Sequence, residues 1–277
     1  MSEVSEKRVA LVTGASSGIG ETTVERLLED GWIVYGAARR VEKMEALKSK
    51  GAKILKLDVS VDESIIDAVA EIMANEGRID ALINNAGFGL YGAVEDTDIA
   101  DARYQFEVNL FGLARLTQLV LPQMRKQKAG AIVNISSMGG KVYTPLGAWY
   151  HATKHALEGW SDALRVELKP FGINVVIIEP GAIETEFAEV MADPMIERSG
   201  DTAYGEMAKK MKKVTLDTYA SGKASPPDLI AKLIVEAVNR KKPKTRYVAG
   251  YMARPVMFMR KILSDRMFDW ILKKGMR

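Results

Sequence analysis

Cysteine is missing from all 277 residues. Disulfides, thiolate metal sites and a cysteine nucleophile are thereby excluded. Histidine is scarce: His151 and His155 are the only two. Four positions apart, they share a helical face, but no third ligand is evident, and packing or partial exposure explains them better than a metal pair. Charge of one sign is not in excess. The net charge is +3, too small to argue nucleic-acid binding from the whole chain. No run of about 18 uncharged apolar residues occurs, so no membrane-spanning helix is expected. The stretch Met1 to Arg8 is polar and lacks the apolar segment of a secretory leader, which makes the cytoplasm the expected location.

What is present is an ordinary soluble balance, 47% apolar and 27% charged residues, enough for one large α/β domain. Strand-like runs are read at Val9 to Thr13, Trp32 to Ala38, Lys53 to Leu57, Ile79 to Asn84, Ala131 to Ser136, Asn174 to Glu179 and Arg246 to Ala249. Helical patterns alternate with them: one through Glu29, then Asp62 to Glu76, Ile99 to Lys126, Ala148 to Lys169 and Asp228 to Asn239. Within 62–76, Ile65, Ile66, Val69, Ile72 and Met73 are read as one apolar side. Strict β-α alternation with near-continuous apolar strands predicts a doubly wound, Rossmann-like parallel sheet with helices on both faces. The catalytic domain is placed at 1–250, with 186–226 outside the alternation, and an amphipathic extension at 251–277.

Thr13 to Gly20 reads TGASSGIG at the first strand-to-helix junction. Glycines there let the backbone approach a pyrophosphate, and the helix behind aims free N–H groups at the anion. Gly14, Ser16, Ser17, Gly18, Ile19 and Gly20 are therefore candidate cofactor contacts. The second strand ends in Ala38-Arg39-Arg40 without a carboxylate. A carboxylate there would bond the ribose 2′-OH of NAD, whereas arginine accommodates a 2′-phosphate, so NADP(H) is favoured over NAD(H). A solvated charge pair is the plainer reading of Arg39 and Arg40. Asp58 could accept from an adenine amino group or serve as a turn residue, with Val59 beside the base.

Tyr150 and Lys154 are four apart on a predicted helix, with Ser137 thirteen residues before Tyr150. A lone phenol titrates near about 10. A neighbouring ammonium favours phenolate and is expected to draw the Tyr150 pKa down toward working range. By itself, tyrosine beside a snorkelling lysine is common.

The ordered set TGxxxGIG, Asn84-Asn85-Ala86-Gly87, Ser137, YxxxK and Pro180-Gly181 resembles the short-chain dehydrogenase/reductase family from Arg8 to about Gly250. The resemblance implies hydride transfer between a nicotinamide and an alcohol or carbonyl carbon. It implies Tyr150 as general acid/base, Lys154 as its tuner and a partner of the nicotinamide ribose, and Ser137 on the substrate oxygen. Asn109, within Phe106 to Gly112, would hold a water linking Lys154 to solvent. Asn85, Ala86 and Gly87 would line the adenosine ribose, and Pro180, Gly181, Ile183 and Thr185 would flank the nicotinamide. Ser136 points the other way along the strand and is read as structural. Some NADP(H)-using relatives carry a basic residue where this chain has Ser17, which leaves the phosphate largely to Arg39, with Arg40 as a secondary candidate. Glu184 and Glu186 are given no catalytic role. The rival is a dinucleotide-binding sensor without turnover, disfavoured because Ser137, Tyr150 and Lys154 are all present.

The segment Phe88 to Val94 is apolar, and 186–226 is read as a lid containing Met191, Met195, Met207 and Met211. A bulky, mostly apolar ketone or secondary alcohol is the expected substrate. Relatives commonly pair through the helices at 99–126 and 148–169, which implies a homo-oligomer. The tail from Arg254 to Arg277 carries net +5, and Val256, Met259, Ile262, Leu263, Met267, Trp270 and Ile271 approximate helical spacing. Packing over the pocket or a second subunit is favoured over contact with an anionic membrane.

Overall fold

Among the described residues, seven strands form the centre: β1 (Val9–Thr13), β2 (Ile33–Ala38), β3 (Lys53–Lys56), β4 (Ala81–Asn84), β5 (Gly130–Ile135), β6 (Ile173–Pro180) and β7 (Arg246–Ala249). The computed structural model describes residues 7–275. The start of the polar N-terminal stretch, residues 1–6, and positions 276–277 of the tail lie outside the described residues. The sheet order is β3-β2-β1-β4-β5-β6-β7, and every pairing is parallel. The chain reverses its direction of travel between β1 and β4. In a doubly wound sheet, that switch point opens a crevice at the carboxyl ends of the strands.

Side chains alternate across the sheet with period two, and both faces are buried. On β1, Ala10 and Val12 join one core with Val24 and Leu27 of α1 (Gly18–Glu29) and Ile230 and Ile234 of α9 (Pro227–Asn239). Val9 and Leu11 face the other core. There they meet α3 (Asp62–Glu76), α5 (Gly112–Gln127) and α6 (Ala148–Leu168) through residues such as Ile72, Leu116 and Leu164. One expectation is corrected: Ile66 is 40% exposed, while Ile65, Val69 and Ile72 are buried. Position 66 lies about 100° around the helix from 65, beyond the edge of the apolar stripe.

A short α2 (Glu45–Ser49) follows β2 and was not read from the sequence. The long helix expected at 99–126 is divided. Helix α4 (Ile99–Phe106) runs into a π-helical turn at Glu107–Phe111 before α5 begins. Such turns concentrate at functional sites, and this one carries Asn109. Beyond β6, α7 (Phe187–Ser199) and α8 (Gly205–Ala220) lie against each other and cover Tyr91, Leu146 and Tyr150 with Met191, Met195 and Met211. Met207 turns outward, 38% exposed. The tail folds as α10 (Ala253–Ile262) and α11 (Asp265–Gly275).

Candidate active site

A cavity of about 530 Å³ opens at the switch point. Its wall brings together the glycine turn, Arg39, Arg40, Asp58, Val59, Asn85, Ala86, Gly87, Ser137, Tyr150, Lys154, Pro180, Gly181, Ile183 and Thr185. Residues spread over more than 170 positions of the chain therefore share one cleft. Two predicted residues are not on the wall. Gly20 lies behind it, and Asn109 is fully buried.

The glycine turn is built for close approach. Gly18 has φ +57, the left-handed region that glycine enters at little cost. At Gly20 an added Cβ would lie 2.3 Å from the Gly14 carbonyl oxygen. Ser17 precedes α1 in extended conformation, and no side chain caps the helix. The first N–H groups of α1 thus remain donors beside the cleft. Asn85 holds this turn from the far side, its Nδ2 donating to Thr13 O at 2.9 Å and to Gly14 O at 3.2 Å. Its side chain serves the loop, leaving its backbone and those of Ala86 and Gly87 to line the groove.

Beside the glycine turn, past the end of β2, Arg39 Nη1 donates to the Tyr104 hydroxyl at 3.0 Å. Arg40 Nη2 donates to Ser16 Oγ at 3.4 Å and to Glu186 at 3.2 Å. Lys43 also reaches Glu186, at 3.2 Å. These cations hold the Glu186 carboxyl below its ordinary range, Lys43 contributing most. Asp58 accepts from the Ser60 amide and hydroxyl at 2.9 and 2.6 Å, a turn arrangement that still leaves the residue on the cavity wall.

On α6, one helical turn separates Tyr150 from Lys154. Lys154 Nζ donates to Ile135 O at 2.8 Å, which moors the ammonium to the end of β5. Burial pulls its pKa down to about 8, against the opposing charge of Glu158. The Tyr150 phenol is pushed up to about 12 by burial, with hydrogen bonding to Ser137 pulling the other way. The downward draw expected from Lys154 is thus corrected: burial sets the direction at Tyr150, and the group that opposes it is Ser137. Ser137 Oγ also accepts from the Gly139 amide at 3.0 Å. Ser136 is buried at the same wall with its hydroxyl unpartnered among the described residues.

Asn109 acts as a brace. Its Nδ2 donates to Phe88 O at 2.9 Å and to Thr153 Oγ1 at 3.1 Å, and its Oδ1 accepts from the Phe88 amide at 3.1 Å. It thereby fixes the loop after β4 to the helix carrying Tyr150 and Lys154. His151 spends both ring nitrogens on the chain, at 3.0 Å from Gly139 O and 3.0 Å from the Thr144 amide. Burial pushes its pKa down to about 4.

The sequence reading missed much of the wall around Tyr150. Tyr91, Val142, Thr144, Phe187, Val190 and Tyr219 line it. Tyr91 and Phe187 rings sit 5.7 and 5.5 Å from the Tyr150 ring. The apolar stretch 88–94 signalled Tyr91. Phe187, Val190 and Tyr219 fall within the expected lid at 186–226, and α8 brings Tyr219 over the site.

A family profile described as short chain dehydrogenase matches residues 8–195. The 3-ketodihydrosphingosine reductase of Bacteroides thetaiotaomicron is 34% identical over 270 residues, 97% of each chain. The NADPH-dependent 3-dehydrocapnine reductase of Ornithobacterium rhinotracheale is 35% identical over 285 residues, 98% of each chain. Among solved structures, a short-chain dehydrogenase from Streptomyces avermitilis superposes with a TM-score of 0.77 at 34% identity, covering 97% of this chain and 95% of that one.

Proposed function

This chain belongs to the short-chain dehydrogenase family and is an oxidoreductase, and from that premise we propose that it is an NADP(H)-dependent reductase of long-chain amphiphilic ketones. One observation carries the reading: Ser137, Tyr150 and Lys154 converge at one end of a single cleft whose other end holds the glycine turn and the Arg39–Arg40 pair.

The cleft fits a dinucleotide. The Gly14–Gly20 packing lets backbone, not side chain, face a pyrophosphate, and the donor set at the β2 end is cationic with no carboxylate at positions 38 to 40. The turn at 14–19 would hold the pyrophosphate and Arg39 and Arg40 the 2′-phosphate. Asn85, Ala86 and Gly87 would line the adenosine ribose, and Pro180, Gly181, Ile183 and Thr185 would flank the nicotinamide. When bound, the nicotinamide supplies the hydride donor or acceptor.

Tyr150 gives its hydroxyl proton to the carbonyl oxygen in reduction and removes it in oxidation. Ser137 hydrogen-bonds the same substrate oxygen as charge develops there. Lys154, fixed by Ile135 O on the same cleft wall, would meet the ribose hydroxyls beside the nicotinamide. Asn109 fixes the two walls around them. The apolar rim from Tyr91, Val142, Phe187 and Val190 favours an alkyl chain beside the carbonyl. The names of two relatives add support, one a 3-ketodihydrosphingosine reductase and the other an NADPH-dependent 3-dehydrocapnine reductase. A cytoplasmic homo-oligomer is proposed on the family's pattern, with light scattering as its check.

The test is a fluorescence titration with NADPH and NADH, followed by 3-ketodihydrosphingosine and a panel of aliphatic, aromatic and steroid ketones. Tight NADPH binding and consumption with the long-chain ketone is expected. Preferred NADH binding overturns the cofactor assignment, and a preference for small charged ketones overturns the substrate class.

A further inference from the structure

The tail helices are anchored by a few inward residues and turn an apolar, cationic face outward. Phe268 is 1% exposed. It packs 5.4 Å from the Tyr143 ring, with the Arg260 guanidinium 5.6 Å from its own ring. Ala253 is fully buried at the start of α10. Opposite these anchors stand large apolar side chains: Phe258 at 62% and Ile262 at 60% exposure on α10, Met267 at 55% and Trp270 at 61% on α11.

Helical geometry fixes the neighbours of Trp270. At 100° per residue, Trp270 lies about 160° around α11 from Phe268. Arg266, Lys273 and Lys274 fall on the same outward side, at i−4, i+3 and i+4 from it. Lys274 Nζ is 5.1 Å from the Trp270 ring. On α10, Phe258 and Ile262 are likewise opposite Ala253, and Lys261 is exposed at i+3 from Phe258, flanking that face. The basic residues of the tail outnumber its two acidic ones. Asp265 pairs with Arg260 at 2.8 Å, and Asp269 accepts from the Tyr143 hydroxyl at 2.9 Å. Lys261, Arg266 and Lys273 have no ion pair among the described residues.

We propose that the outward face of α10 and α11 is a docking surface for an anionic lipid bilayer, with Phe258, Ile262 and Trp270 entering the headgroup boundary and Lys261, Arg266, Lys273 and Lys274 meeting lipid phosphates. An indole ringed by cations is suited to that boundary, where the ring is partly desolvated and the charges stay in water. The two occupants expected from the sequence fit less well. The cavity wall contains no residue of α10 or α11, so the tail does not cap the pocket. A second copy pairing face to face would set like charges together and desolvate them. No described helix is long and apolar enough to cross a membrane, so the contact lies along the surface.

The test is co-sedimentation of the full chain with vesicles of phosphatidylcholine alone or with 30% phosphatidylglycerol. It uses neither ketone nor cofactor, so it stands or falls apart from the proposed reaction. Binding to the anionic vesicles only, weakened by salt, is expected. Trp270→Ser should reduce it about tenfold or more, and Lys273→Ala by roughly fivefold. Both positions are exposed, and unchanged melting temperatures would confirm intact folds. No sedimentation of the wild type, equal binding to neutral vesicles, or indifference to both substitutions overturns the proposal. So does a dimer in light scattering that Trp270→Ser dissociates, because the face then serves a second copy.

Discussion

Arg40 Nη2 lies 3.2 Å from Glu186 Oε2, joining the end of β2 to the first residue past the Thr185 turn. The carboxylate therefore engages a cation assigned to the cofactor's 2′-phosphate. The pair is exposed on both sides, where such bridges contribute about 0.2–1 kcal/mol. Glu186→Gln is expected to tighten NADPH binding by about two- to fivefold and leave NADH unchanged. Arg39→Ala and Arg40→Ala should each weaken NADPH about tenfold or more while sparing NADH. Nicotinamide fluorescence titration measures all of these, and equal effects on both dinucleotides would remove the phosphate from this end of the groove.

Tyr150→Phe is expected to lower turnover by about 100- to 10,000-fold, the usual range for losing a positioned acid/base. NADPH affinity should change little, because the ring still fills its place beside Tyr91 and Phe187. Retained turnover in the phenylalanine variant would assign the proton to another group. Loss of binding as well would make the residue's role one of packing.

Gly20→Ala is expected to lose dinucleotide binding and about 1–3 kcal/mol of stability. Its new Cβ would sit 2.3 Å from a backbone oxygen, which has no flexible end to move aside. Calorimetry of the variant with and without NADPH checks both effects.

Two buried titratable groups give stability opposite slopes with pH. His151 has a folded pKa depressed to about 4 from 6.5. Below pH 6.5 its unfolded form takes up the proton first, so stability falls as pH drops toward 4, by about 3 kcal/mol in all. Glu179 is pushed up to about 7, chiefly by burial and then by Glu158. Arg246 is 3.5 Å from it but hydrogen-bonds Glu158 and Asp162 instead. Between pH 4.5 and 7 the folded form keeps the Glu179 proton that the unfolded form loses, so stability falls as pH rises. Wild type is expected to be nearly flat from pH 4.5 to 6.5. His151→Gln should then lose stability with rising pH, and Glu179→Gln should gain it. Melting curves across that range test the signs.

The sequence by itself determined the order of strands and helices, because a two-sided sheet demands apolar strands and its helices carry 3.6-residue stripes. It also determined the nucleotide turn, where only glycine meets the backbone's demands, and the Tyr150–Lys154 pairing, which one helical turn enforces. Tertiary structure alone decided what depends on distant surroundings. Nothing local to Tyr150 reveals that burial raises its phenol, since desolvation is set by Tyr91, Phe187 and the helices at 187–220. Asn109 became a brace through partners at 88 and 153. Glu186 met Arg40 across the cleft from 146 positions away. The outward face of the tail was equally hidden: its apolar and basic residues were legible, but which side the body would cover depended on where Phe268 found its pocket.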